Sequence, residues 1–111
     1  MKFDMEIRDD VCVLSLEGRL DSNTVQNLKT QFDKYIETNS KFVFNLEKLE
    51  FIDSTGLGGL VSCLKKTIPK GGDLKIVNLS PKPKMVFEIT RAHKVFDIYD
   101  DLDTAVESFS L

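Results

Sequence analysis

The 111-residue sequence has no tryptophan, one histidine, two cysteines and three prolines, and several of these scarcities remove a class of chemistry. His93 has no partner histidine, which excludes most metal sites, and no metal is expected. Cys12 and Cys63 stand far apart with no second Cys or His at ligand spacing, so zinc binding and thioredoxin-type exchange are unsupported. Both are expected as buried free thiols. No apolar run approaches the ~18–20 residues needed to cross a bilayer, so no membrane partner is expected. The opening MKFDMEIRDD is alternating and charged, unlike the apolar stretch of a signal peptide or an acid-poor transit peptide, and the expected location is cytoplasmic. An excess of positive charge is also missing. Fifteen basic residues meet eighteen acidic ones for a net charge of −3, which argues against a surface built to cover nucleic acid.

What the chain does have is a core. Leu, Ile, Val and Phe make up 37 of 111 residues, far above the level of about 20% below which disorder is expected. At roughly 100–200 residues per domain, residues 1–111 read as one domain with no room for a separate catalytic unit, and a monomer is the default.

Phe3, Met5 and Ile7 alternate with polar residues, Asp9-Asp10 supplies a turn, and the more continuous run from Val11 to Leu16 follows: a hairpin of one half-exposed and one buried strand. After the capping cluster Asp21-Ser22-Asn23-Thr24, the spacing of Val25, Leu28, Phe32 and Ile36 predicts an amphipathic helix of about four turns. Phe42 to Leu46 reads as a central strand, and Leu49 to Gly56 as a loop into a second helix carrying Leu57, Leu60, Val61, Leu64 and Ile68. Leu74 to Val77 predicts a strand, Ser80 to Pro83 a proline-led helix start, Val95 to Tyr99 a short strand, and Leu102 to Phe109 a last helix. The order ββαβαβαβα implies an α/β fold, a mixed sheet of four to five strands with about four helices packed on it.

The unusual segment is Asp53-Ser54-Thr55-Gly56-Leu57-Gly58-Gly59. It places hydroxyls at a helix start, where free backbone amides and the positive end of the helix dipole favour an anion such as a phosphate on Ser54. Asp53, Ser54 or Thr55 could equally serve only as the cap. A cap does not explain Gly58 and Gly59, each costing about 1 kcal/mol of helix propensity. With the leucines facing inward, Gly58, Gly59, Ser62 and Cys63 are expected as a nearly bare stripe that another protein's backbone could approach.

Enzyme motifs fare worse. Ile52 stands where a nucleophile elbow requires glycine, and no glycine precedes Lys66 at the spacing of a phosphate-cradling loop. A phosphoaspartate receiver, with Asp53 as acceptor, would want a continuous apolar first strand before its acids, whereas Phe3 to Ile7 alternates. Charge is uneven: eight bases and two acids between Lys65 and Lys94, then five acids and no base from Asp97 to Glu107. Solvated faces account for both, with an acidic or phosphorylated partner as the sharper reading of the basic third.

The hexamer Asp53-Ser54-Thr55-Gly56-Leu57-Gly58, at its distance from Gly18-Arg19-Leu20-Asp21, resembles the STAS-domain anti-sigma factor antagonists of bacterial partner-switching systems. The resemblance extends through Asn45-Leu46, Gly71-Gly72-Asp73-Leu74 and Phe87-Glu88-Ile89-Thr90, hence over nearly the whole chain. It implies a single STAS domain that is a ligand and substrate and not an enzyme, with no cofactor. It implies that an anti-sigma factor serine kinase phosphorylates Ser54, with Thr55 second in line. The unphosphorylated form would bind that kinase and free the sigma factor, and a serine phosphatase would reset the switch. Asp21, Asp53, Ser54, Thr55, Gly56, Leu57, Gly58, Gly59 and Ser62 are the implied partner-binding positions. The alternative is a STAS subunit of another signalling scaffold or a lipid-transport complex, where Ser54 is only a cap. Two departures stand out. Arg19 replaces an acid that many members carry, and Arg91 replaces a glycine, removing an easy left-handed helix stop, so a shifted helix end is expected there.

Overall fold

A computed structural model describes residues 1–111. Strands β1 (Lys2–Arg8) and β2 (Val11–Leu20) form the expected antiparallel hairpin. Asp9 and Asp10 both take positive φ, the conformation required by a two-residue turn that matches strand twist. Helix α1 (Val25–Tyr35) leads to β3 (Lys41–Asn45), and β4 (Leu49–Ile52) feeds α2 (Ser54–Thr67). Strand β5 (Asp73–Val77), α3 (Pro81–Ile89), β6 (Ile98–Tyr99) and α4 (Leu102–Ser108) complete the chain. The fold is mixed α/β with four α-helices and six strands.

The sixth strand is β4, where a loop was expected. Only Leu49 and Ile52 of its four residues are buried, so its local pattern is weak. It exists because β2 serves two partners on one edge. Residues Cys12–Ser15 pair in parallel with β3, and Gly18–Leu20 pair in parallel with β4, across a register shift between Gly18 and Arg19. Gly18 has φ +109°, a conformation open to glycine, and this bend swings β2 from one partner to the other.

The remaining order is β1-β2-β3-β5-β6, parallel from β2 onward. One face of the sheet, with Leu14, Phe42, Phe44, Leu74 and Ile76, is covered by α1, α2 and α3 through Leu28, Phe32, Leu60, Cys63 and Phe87. The Phe32 ring sits 4.7 Å from Phe42 and 5.9 Å from Phe44. The opposite face is built of Val11, Val13, Val43 and Val77, and α4 closes it with Ala105 and Val106. Burial on both sides is why β2, β3 and β5 read as continuous apolar runs.

Helix α3 ends at Ile89, directly before Thr90 and Arg91, without the shift that the missing glycine led us to expect. Arg91 itself takes the left-handed conformation, φ +62° and ψ +19°, without the freedom of glycine. The expected displacement of this helix end is therefore corrected: the strain is borne in place.

Candidate functional site

Strands β2 and β4 finish side by side, with Leu20 opposite Ile52 and the Asp53 amide donating to the Leu20 carbonyl at 3.3 Å. Each strand is followed by an aspartate, so Asp21 and Asp53 emerge together at one end of the sheet. The two carboxylates do different work. Asp53 is the N-cap of α2, its backbone extended and its Oδ1 accepting the Gly56 amide at 2.7 Å, while its carbonyl accepts the Leu57 amide at 2.9 Å. Asp21 Oδ1 accepts the Asn23 amide at 3.0 Å and the Thr24 hydroxyl at 3.3 Å, which holds the turn into α1.

This assignment resolves which residue caps the helix. Because Asp53 does it, the Ser54 and Thr55 hydroxyls are released from that duty, and both residues are exposed in the first turn. Gly56 and Leu57 use Asp53, which leaves the Ser54 and Thr55 amides as the two first-turn donors open to solvent. An anion on Ser54 would meet those amides and the helix dipole.

The expected bare stripe is corrected. Gly59 and Cys63 are buried: a β-carbon on Gly59 would collide with Val25 of α1, and Cys63 lies in the core. Gly56 is also buried, and a β-carbon there would collide with the Leu20 carbonyl oxygen. These two glycines let α2 approach β2 and α1. Of the three glycines in α2, only Gly58 faces open space, where an added β-carbon meets nothing within 4 Å. The accessible feature is a shallow open groove along α2 lined by Ser54, Leu57, Gly58, Val61, Ser62 and Lys65. Leu57 is mostly buried and forms its floor. Val61, read from the sequence only as one of the helix's apolar positions, and Lys65 were not among the expected site residues, although their seven- and eleven-residue offsets from Ser54 put them on the same helical face.

One neighbouring arrangement was invisible without β4. The Arg19 guanidinium lies 4.0 Å from the centroid of the Phe51 ring, its partner in the β2–β4 register, and its Nε is 3.7 Å from Asp21 Oδ2. Cation–π stacking and the carboxylate hold this charge on the strand pair that leads into α2.

Neither thiol is a nucleophile. Burial pushes Cys12 up to about 11 and Cys63 up to about 12, so both are protonated at neutral pH.

The family profile of the STAS domain matches residues 2–105. The chain belongs to the STAS-domain family. It is 28% identical over 103 residues to an anti-sigma F factor antagonist of Paenibacillus polymyxa, covering 91% of this chain and 88% of that one. It is similar to the anti-sigma-B factor antagonist of Bacillus subtilis, at 27% identity over 95 residues, 86% of this chain and 87% of the relative. Among solved structures, an anti-sigma factor antagonist from Mycobacterium paratuberculosis superposes with a TM-score of 0.86 at 26% identity, covering 96% of this chain and 92% of the other. The curated relatives of this STAS chain are thus regulatory proteins.

Proposed function

We propose that this STAS domain is an anti-sigma factor antagonist controlled by phosphorylation of Ser54. The observation that carries the reading is the division of labour at α2: Asp53 supplies the cap, and the adjacent Ser54 hydroxyl is exposed at a helix start with no structural task. In the unphosphorylated state, the groove of Ser54, Leu57, Gly58 and Ser62, with Thr55, Asp21 and Asp53 around its mouth, receives an anti-sigma factor. Gly56 and Gly59 contribute from beneath by setting the depth of α2. That anti-sigma factor is a serine kinase using ATP, and its capture frees the sigma factor.

A phosphate on Ser54 adds a charge of about −1.5 to −2 beside two aspartates. The two free amides of the first turn accommodate it without unwinding α2, while its bulk and charge close the groove to the partner. A serine phosphatase restores binding. The chain is substrate and ligand in this cycle, acts without cofactor or metal, in the cytoplasm, as a monomeric single domain.

The test uses the purified protein and its Ser54→Asp variant as baits in a lysate of the source cells, with phosphosite mapping after ATP addition. The expected result is a small ATP-binding kinase retained by the wild type alone and phosphate on Ser54. Phosphate on Thr55 would move the acceptor by one residue. Identical captures by both baits would reduce Ser54 to an ordinary first-turn residue and favour a scaffold or transporter assembly.

A further inference from the structure

We infer that the hollow at the carboxyl ends of β3, β5 and β6 binds a small organic ammonium ion with a compact apolar body. The cavity measures about 350 Å³, within the size range of small-ligand sites. The cavity opens at the carboxyl ends of these three parallel strands. Its residues take no part in the Ser54 groove, so the inference does not rest on the partner-switch reading.

The strand ends that form it are tied together. Asn78, directly after β5, holds a left-handed backbone with φ +59°, and its amide group donates to Asn45 Oδ1, at the end of β3, at 3.2 Å. The same Asn45 oxygen accepts the Glu47 amide at 3.1 Å, and the Asn78 amide reaches the Tyr99 carbonyl of β6 at 3.4 Å.

The walls select the ligand. Leu79, Ile98 and Tyr99 give an apolar and aromatic surface, with Phe87 fully buried behind it. The rim carries Glu47, Glu88 and Asp100, and none of the three is engaged in an ion pair within the chain. Lys84 is the only lysine on the rim. His93 places Nδ1 3.2 Å from the Phe87 carbonyl, so in the neutral ring Nδ1–H donates there and Nε2 is left as an acceptor. Acceptors of hydrogen bonds therefore outnumber donors, and three carboxylates oppose any anion. An ammonium group meets those carboxylates, and its apolar body meets Leu79, Ile98 and Tyr99.

The test is a two-probe NMR titration of the ¹⁵N-labelled full chain with phenethylamine and with phenylacetate, which share an aromatic body and differ in charge. Phenethylamine is expected to shift the Asn78, Leu79, Tyr99 and Asp100 amides saturably in the millimolar range, with phenylacetate weaker by about tenfold or more. The exposed double change Glu47→Gln with Asp100→Asn is expected to weaken phenethylamine by about tenfold and to leave phenylacetate unaltered. Equal affinity for both probes, insensitivity to the double change, or shifts centred elsewhere would each overturn the assignment.

Discussion

Val25 of α1 occupies the space into which a β-carbon on Gly59 of α2 would project. The two helices pack at that point with no room for a methyl group, whereas one residue earlier Gly58 faces solvent with nothing near it. Adjacent glycines thus answer to different demands, one to the interior and one to the surface.

Their substitutions should diverge in sign. Gly59→Ala is expected to lower stability by about 1–3 kcal/mol through overpacking against Val25. Gly58→Ala should raise it by up to about 1 kcal/mol through helix propensity. Urea unfolding of the two variants measures both, and loss of partner affinity in the stabilised Gly58→Ala protein would locate the docking groove independently of folding.

Ser54→Asp should keep the fold. A carboxylate in the first turn gains about 0.3–1 kcal/mol from the helix dipole and loses part of it to Asp53 and Asp21 nearby. Far-UV circular dichroism should be unchanged and the Tm within a few degrees of wild type, by about 4–8 °C per kcal/mol at this size. A large drop in Tm would mean that binding lost in this variant reports unfolding and not a switch.

Arg91 gives a clean test of backbone strain. A non-glycine residue in the left-handed region costs about 1–2 kcal/mol, part of which glycine returns through its freer unfolded chain. Arg91→Gly is therefore expected to stabilise the protein by up to about 1 kcal/mol, read as a higher urea midpoint with an unchanged slope.

The buried thiols set an alkaline limit. An unfolded thiol ionises near ~8.5, whereas in the fold Cys12 is pushed up to about 11 and Cys63 up to about 12. Raised values mean stability that is fully present below the unfolded value and lost as pH rises through the folded ones. The urea midpoint should fall between pH 8 and pH 10.5. Replacing both cysteines with alanine should lower the midpoint throughout but flatten that fall.

Much of the molecule was legible in the sequence because burial leaves a period. The hairpin, α1, α2 and the two-sided strands β3 and β5 follow from the spacing of their apolar residues, and the start of α2 follows from the cluster Asp53 to Gly59. What escaped were features fixed by distant partners. Strand β4 is held by Gly18–Leu20, some thirty residues upstream, and four residues with two buried give no local signal. The Arg19–Phe51 stack escaped with it. The side of α2 that meets α1 depends on how the helices dock, so the exposure of Gly58 and the burial of Gly59 could not be told apart from composition. Arg91 was misjudged because tertiary packing overrode a conformational preference.

The handover of β2 from β3 to β4 also governs when the surroundings of Ser54 come into being. The platform under Ser54 is a parallel ladder whose two strands are separated along the chain by α1 and β3. Such non-local pairings form late, since the entropy of closing the intervening chain must be met first. A nascent or denatured chain contains the same Asp53-Ser54-Thr55 tripeptide but lacks the aligned amides and the groove. An enzyme that recognises this shape, and not the linear stretch, would ignore immature copies and act on finished molecules alone.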